Sequence, residues 1–316
     1  MPNTTPPTPT RVWIATFPGA SAMAVHGIAE ILELANRMGG RRLFAVRRGP
    51  LSARTRAARH RFLARGEAWV AVPPGDHRAI PGITAPAFAG ALAEHHRRGH
   101  RVAAACLGNF ALGAAGLADG REVTTHWSVA DAFQARFPAA RLALSRILVD
   151  GGTVVSAGGY TAFLDLALWW VARAGGRGLA LRVARVLQVD PGRESQLPWL
   201  GDRAPPVLAD PALAAVLREV ARAPAHPWTV PAMARAAGLG LRALERRFRA
   251  ELGTTPRRWV QERRLERARR LLEGGATVQE ACAGAGYEDL PSFVRLFRRR
   301  TRWTPGRYRA WARGQA

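Results

Sequence analysis

The chain has 316 residues, 48% of them apolar, enough for two ordinary domains with separate cores. Its formal net charge is +24, and every basic residue is an arginine. Cys106 and Cys282 lie far apart in no ligand spacing, which argues against a disulfide framework or a zinc site; the longest apolar stretch, Ala157 to Ala172, holds Asp165, so no membrane span is predicted.

The first ten residues are rich in Pro and Thr and have neither the basic start nor the apolar centre of a signal peptide, so 1–10 reads as a disordered lead-in. With only two cysteines, a reducing cytoplasm fits. From Arg11 to about Asp190 short β-rich runs alternate with helical patterns: Val12 to Phe17, a helix near Ile28 to Met38, Leu43 to Val46, and Ala68 to Val72. Val102 to Ala105, a helix from Leu107, Ile147 to Val149, Val154 to Ser156 and a long helix from Thr161 follow. Such alternation predicts an α/β domain over 11–190 with a mostly parallel sheet. The cluster His95-His96-Arg97-Arg98-Gly99-His100 reads as a solvated helix end, with no metal site expected.

Prolines crowd between 191 and 224, which marks a linker; within it Asp210-Pro211 is an N-cap and N1 pair that opens a helix through Arg222. Pro205, Pro206 and the helix from Pro211 are expected to shape coupling between the flanking domains. The charge is also uneven. Residues 222–316 hold 21 Arg against 8 acidic residues, and 1–221 hold 26 against 15, so the net positive charge per residue more than doubles where a polyanion would be gripped by guanidinium forks.

The last region, 225–312, is helical and repeats itself. Thr229-Val230, Gly238, Leu244, Phe248 and Thr255-Pro256 recur as Thr277-Val278, Gly286, Phe293, Phe297 and Thr304-Pro305. Each copy has a Thr N-cap, a short helix, a Gly turn and a second helix with an apolar pair at i and i+4, which is a helix-turn-helix. Thr277 and Glu280 are spaced as a capping box. With the apolar pairs inward, Arg242, Arg246 and Arg249 point outward in the first unit, and Pro291, Ser292, Arg295, Arg298 and Arg299 in the second. Arg242, Arg246, Ser292 and Arg295 are the candidates for base edges of double-stranded DNA; Arg249, Arg298 and Arg299 are the candidates for phosphates. The basic helix between the units, Pro256 to Glu273, carries Arg263, Arg264, Arg267, Arg269 and Arg270, divided between solvated surface and backbone contact, with Glu262, Glu266 and Glu273 as local partners.

Gly238 to Phe248 and Gly286 to Phe297 resemble the paired helix-turn-helix units of the AraC/XylS regulators. The resemblance covers about 90 residues and implies that the two units enter successive major-groove segments on one face of the DNA. Gly240 stands where that family usually has a capping Ser. In the first domain, Val102 to Phe110 looks like a nucleophile elbow, a small-residue strand turning into a helix at Cys106. With Val72-Pro73-Pro74-Gly75, Val123 to Trp127 and Asp150 to Gly159, it resembles the PfpI and class I glutamine-amidotransferase-like superfamily, whose fold is a flavodoxin-like parallel sheet with helices on both faces.

The two resemblances together imply a transcription regulator whose first domain is a ligand sensor and dimerisation module. They imply a homodimer, a small nitrogen-containing effector such as an amino acid, and RNA polymerase as a partner open to it; no cofactor is expected. Catalytic relatives pair the elbow Cys with a His and an acid from the first helix region. Here Ala24 stands at the acid's place and Leu107 where some carry a His, while Glu30 and Glu33 read as surface residues. A non-catalytic pocket is therefore expected, lined by Cys106, Leu107, His126, Trp127 and Tyr160. The alternative is a Cys-dependent hydrolase or amidase with an appended DNA-binding domain.

Overall fold

A computed structural model describes residues 8–193, 196, 210–223, 226, 228–252 and 254–314. It falls into two compact units, Met1–Glu194 and Ser195–Ala316. Among the described residues no helix is long and apolar enough to cross a membrane.

The first unit runs β1 (Thr10–Thr16), α1 (Ala22–Gly39), β2 (Phe44–Pro50), α2 (Ala53–Leu63), β3 (Ala68–Val72), α3 (Ile80–Thr84), α4 (Pro86–Arg97) and β4 (Arg101–Ala105). It continues through α5 (Asn109–Ala114), β5 (Glu122–Val123), α6 (Ala130–Arg136), β6 (Arg141–Leu142), β7 (Leu148–Asp150), β8 (Val154–Ala157), α7 (Phe163–Gly175) and α8 (Arg177–Leu187). Thr10, which composition places in the lead-in, is already the first residue of β1.

The main sheet has the order β2-β1-β3-β4-β8-β7. Its pairs are parallel except the edge pair β7 with β8, which is antiparallel. The short β5 and β6 form a separate parallel pair, which the alternation of long elements does not signal.

Side-chain alternation along each strand feeds two cores. Val12, Ile14, Trp69, Ala71, Ala103 and Ala105 face one layer with Ile28, Leu32, Leu166, Trp170 and Val183, which come from α1, α7 and α8. Trp13, Ala15, Val70, Val72, Val102 and Ala104 face the other, with Phe62, Leu92, Phe110 and Phe133 from α2, α4, α5 and α6. Burial on both faces explains why these strands read as nearly continuous apolar runs.

The second unit holds α9 (Pro211–Arg222), α10 (Val230–Ala236), α11 (Leu241–Leu252), α12 (Pro256–Glu273), α13 (Val278–Gly284), α14 (Leu290–Thr301) and α15 (Pro305–Ala312). The carboxylate of Asp210 caps α9, accepting from the N–H groups of Ala212 and Leu213, and pairs with Arg247 of α11 at 2.7 Å. Leu213, Val216, Leu217 and Val220 are buried, so α9 contributes a packed face rather than a bare connection. Pro205 and Pro206 lie outside the described residues.

Candidate functional site

Both repeats fold as their matching signals require. Thr229 accepts from the Ala232 N–H, and Thr277 forms the full capping box with Glu280. Gly238 and Gly286 adopt φ of 64° and 79°, the left-handed conformation that lets the chain turn between the two helices of each unit without a Cβ clash. The second helix then starts differently in the two copies. Asp289 caps α14 by accepting from the Ser292 N–H at 2.8 Å. In the first copy Gly240 offers only its carbonyl, which accepts from Leu244.

The inward faces are apolar. Leu244, Phe248 and Leu252 are buried on α11, and Phe293, Leu296 and Phe297 on α14. Phe248 meets Trp259 of α12 edge-on at 6.3 Å, while Phe297 sits between Phe293 at 5.7 Å and Tyr308 at 5.5 Å. With that face fixed, Arg242, Arg246, Arg249, Ser292, Arg295, Arg298 and Arg299 are all exposed. The guanidinium of Arg295 donates to Ser292 Oγ at 2.7 Å, which holds it along the start of α14. Arg300, not singled out from the pattern, extends the same exposed basic end.

The arginines of α12 behave otherwise. Arg263 is buried, not solvated, and lies over the Trp259 ring at 5.6 Å. Arg264 donates to the His226 carbonyl at 3.1 Å and stacks on Tyr287, and Arg267 donates to the Gly284 carbonyl at 2.5 Å. These side chains therefore pack and hydrogen-bond within the unit rather than standing free for a polyanion. Of the acids, Glu266 pairs with Arg269, whereas Glu262 pairs with Arg258 and Glu273 accepts from Tyr308.

In the first unit the elbow is real. Cys106 has φ 55° at the end of β4, where a single helical turn over Cys106–Gly108 leads into α5. A Cβ on Gly108 would lie 2.7 Å from the Pro73 carbonyl oxygen and 2.8 Å from that of Val72. Both obstacles are backbone, so Gly108→Ala is expected to cost about 1–3 kcal/mol, read as a lower denaturation midpoint in urea.

Burial works against ionisation of the elbow thiol. Cys106 is 2% exposed, and burial pushes its thiol up to about 12, outweighing a hydrogen bond from the Leu107 backbone. Ala24 is fully buried and its backbone N–H donates to Oγ of the N-cap Ser21 at 3.2 Å; Glu30 and Glu33 are exposed on α1. His126 turns its Nδ1 toward Ser128 Oγ at 2.7 Å and packs beside Trp127, and burial lowers its pKa below the usual imidazole value. Leu107 is buried and Tyr160 is exposed. A cavity of about 590 Å³ opens among the segments that follow β1, β2 and β3, and none of Cys106, Leu107, His126, Trp127 or Tyr160 lines it.

The histidine-rich end of α4 is also not solvated throughout. His95 is fully buried, accepting from Arg59 Nε at 2.6 Å. Among the described residues no group of three or more His, Cys, Asp or Glu is placed to hold a metal ion.

A family model described as a helix-turn-helix domain matches residues 233–310, and the DJ-1/PfpI family model matches residues 70–173. The chain is 29% identical over 311 residues to the HTH-type transcriptional regulator CdhR of Pseudomonas aeruginosa, covering 94% of this chain and 91% of that one. It is 35% identical over 215 residues to the HTH-type transcriptional regulator GlxA of Rhizobium meliloti, covering 67% and 66%. A solved structure of a putative transcriptional regulator protein from Vibrio parahaemolyticus aligns with 57% of this chain and all of its own, at 19% identity and a TM-score of 0.47.

Proposed function

Because the chain belongs to the transcription regulators that join a DJ-1/PfpI domain to an AraC-type helix-turn-helix domain, we propose that it reads two adjacent DNA boxes under the control of a small metabolite held by its first unit. Arg242 and Arg246 of α11 reach bases in one major-groove segment, and Ser292 and Arg295 of α14 reach bases in the next. Arg249, Arg298 and Arg299 take phosphates. The observation that carries this reading is the pairing of two helices with the same buried apolar stripe and the same exposed basic face.

The protein works as a homodimer in the cytoplasm, binds its operator beside RNA polymerase, and senses its effector over residues 11–190 while 225–312 holds the DNA. The first unit acts by binding alone. Supporting this are the protonated Cys106 thiol and the apolar Ala24 at the acid's place. Iodoacetamide is therefore expected to leave Cys106 of the folded protein unmodified at pH 8, while the urea-unfolded chain reacts with the ordinary thiol pKa near 8.5. Because folding raises this pKa, stability contributed by the buried thiol is present below the unfolded value and is lost as pH climbs toward about 12. Peptide mapping that found rapid alkylation of Cys106 at neutral pH would restore the case for a nucleophile.

The test of the main reading is selection of bound sequences from random duplexes by the full chain over a range of salt. Two defined boxes about one helical turn apart are expected. Salt-sensitive binding with no motif would reduce the second unit to a general polyanion binder.

A further inference from the structure

Arg59 lies on the inner face of α2 and is 1% exposed, yet it forms part of the wall of the 590 Å³ cavity. A guanidinium buried this deeply needs a counter-charge or a full set of acceptors. Its Nε donates to His95 Nε2 at 2.6 Å, and its Nη1 to Thr55 Oγ1 at 2.8 Å and the Pro50 carbonyl at 3.2 Å. Among the described residues no acceptor takes Nη2, and no carboxylate lies within ion-pair distance of the group. Glu94, the acid on the same wall, is engaged by Arg56 at 2.6 Å and Arg98 at 3.1 Å.

The aim of the guanidinium is fixed from behind. Arg59 Nε can only donate, so His95 Nε2 must accept and the ring carries its proton on Nδ1, which faces His100 Nδ1 at 3.0 Å. Burial, then the nearby Arg59 charge, holds the His95 pKa down to about 3, so this arrangement does not change at physiological pH. In front, Phe17, Leu51, Phe88 and Ala91 give the cavity an apolar lining, with Phe17 and Phe88 edge-on at 5.8 Å. Ser52 stands on the same wall at the start of α2, and its hydroxyl caps no helix N–H.

We propose that this cavity is the effector site and that its ligand is a small monocarboxylate with an apolar body, whose carboxylate accepts from Arg59 Nη2. The proposal rests on the reading that the first unit senses a metabolite, and it places that metabolite away from Cys106. Arg59, stacked on the Trp13 ring at 5.8 Å but in ion-pair contact with no carboxylate, is the buried cation of the wall, whereas Arg78 on the same wall is exposed; one buried positive charge matches one carboxylate. Arg56 and Arg98 both hold Oε1 of Glu94, so the acid on the wall is already charge-compensated. The volume suits a molecule of roughly six to ten carbon atoms, and the position, outside the carboxyl ends of the parallel strands β1, β2 and β3, is where open α/β sheets take ligands.

The test is calorimetric titration of the full chain with a panel of aliphatic and aryl monocarboxylates in that size range, each beside its primary amide. At least one acid is expected to bind, with its amide tenfold weaker or more. Arg59→Gln should remove the advantage of the acid over the amide. Ala91→Phe, which fills the cavity and leaves Arg59 and His95 in place, should remove binding of both, and it carries the test if Arg59→Gln does not fold. Failure of every acid, equal binding of acid and amide, or full binding by Ala91→Phe would overturn the site. Operator affinity is measured on the same samples: an acid that binds the cavity without changing it would leave the site standing and defeat the sensor reading. An effector response that survives in both variants would do the reverse.

Discussion

Phe297→Ala should lower the stability of the second helix-turn-helix by about 3–5 kcal/mol, the usual consequence of emptying a fully buried phenyl site. Phe297 has no solvent exposure and packs within one cluster with Leu265, Ala268 and Leu272 of α12 and Ala281, Cys282 and Ala285 around α13. Its ring also bridges Phe293 on α14 to Tyr308 on α15, so its removal loosens the helix that presents Arg295. Phe248→Ala should do the same to the first unit by vacating the face of Trp259. Footprinting each variant on a two-box operator is expected to show one box lost and the other retained, a different box for each. Loss of both boxes by either variant would mean that α12 welds the two units into one cooperative body. The stacked contacts of Arg263 and Arg264 on that helix make this a sharp comparison.

Much of this architecture can be read from the residues because local and tertiary signals agree. Ala68 to Val72 reads as a strand and is one with the same bounds; the Gly turns and Thr caps of the repeats recur in space as they do in sequence. Two of the misses share a cause, a charge on a buried face. The inward stripe of α2 is Arg59, Phe62 and Leu63, and a pattern whose first member is arginine does not show an apolar periodicity. The same applies to α12, where Arg263 lies in the stripe with Trp259 and Val260. His95 is hidden for a related reason: its burial depends on Arg59, 36 residues away, and no local spacing reports that contact. The elbow was legible from Gly108 and the alanines before Cys106, but the cavity was not, since its wall is assembled from segments after three strands.

Arg246→Ala and Arg295→Ala should each relax selection at one base pair, in different boxes, by about 1–3 kcal/mol. Arg246 is exposed two residues before Phe248, and Arg295 two residues before Phe297, so the buried rings hold both arginines at the same place on their helices. Arg295 is further oriented by Ser292 Oγ at 2.7 Å, and Ser292→Ala should therefore lose part of the same preference. Arg298→Ala should instead weaken every sequence alike and reduce the salt slope by about one unit, as the loss of a phosphate contact does. The base-reading losses should add in the double variant, because the two arginines belong to separate recognition helices with no contact in common. Repeating the duplex selection with each variant decides between the roles: a motif that keeps its sharpness while overall affinity falls would make Arg246 or Arg295 a phosphate ligand, and base reading would then pass to Arg242 and the outer residues of α14.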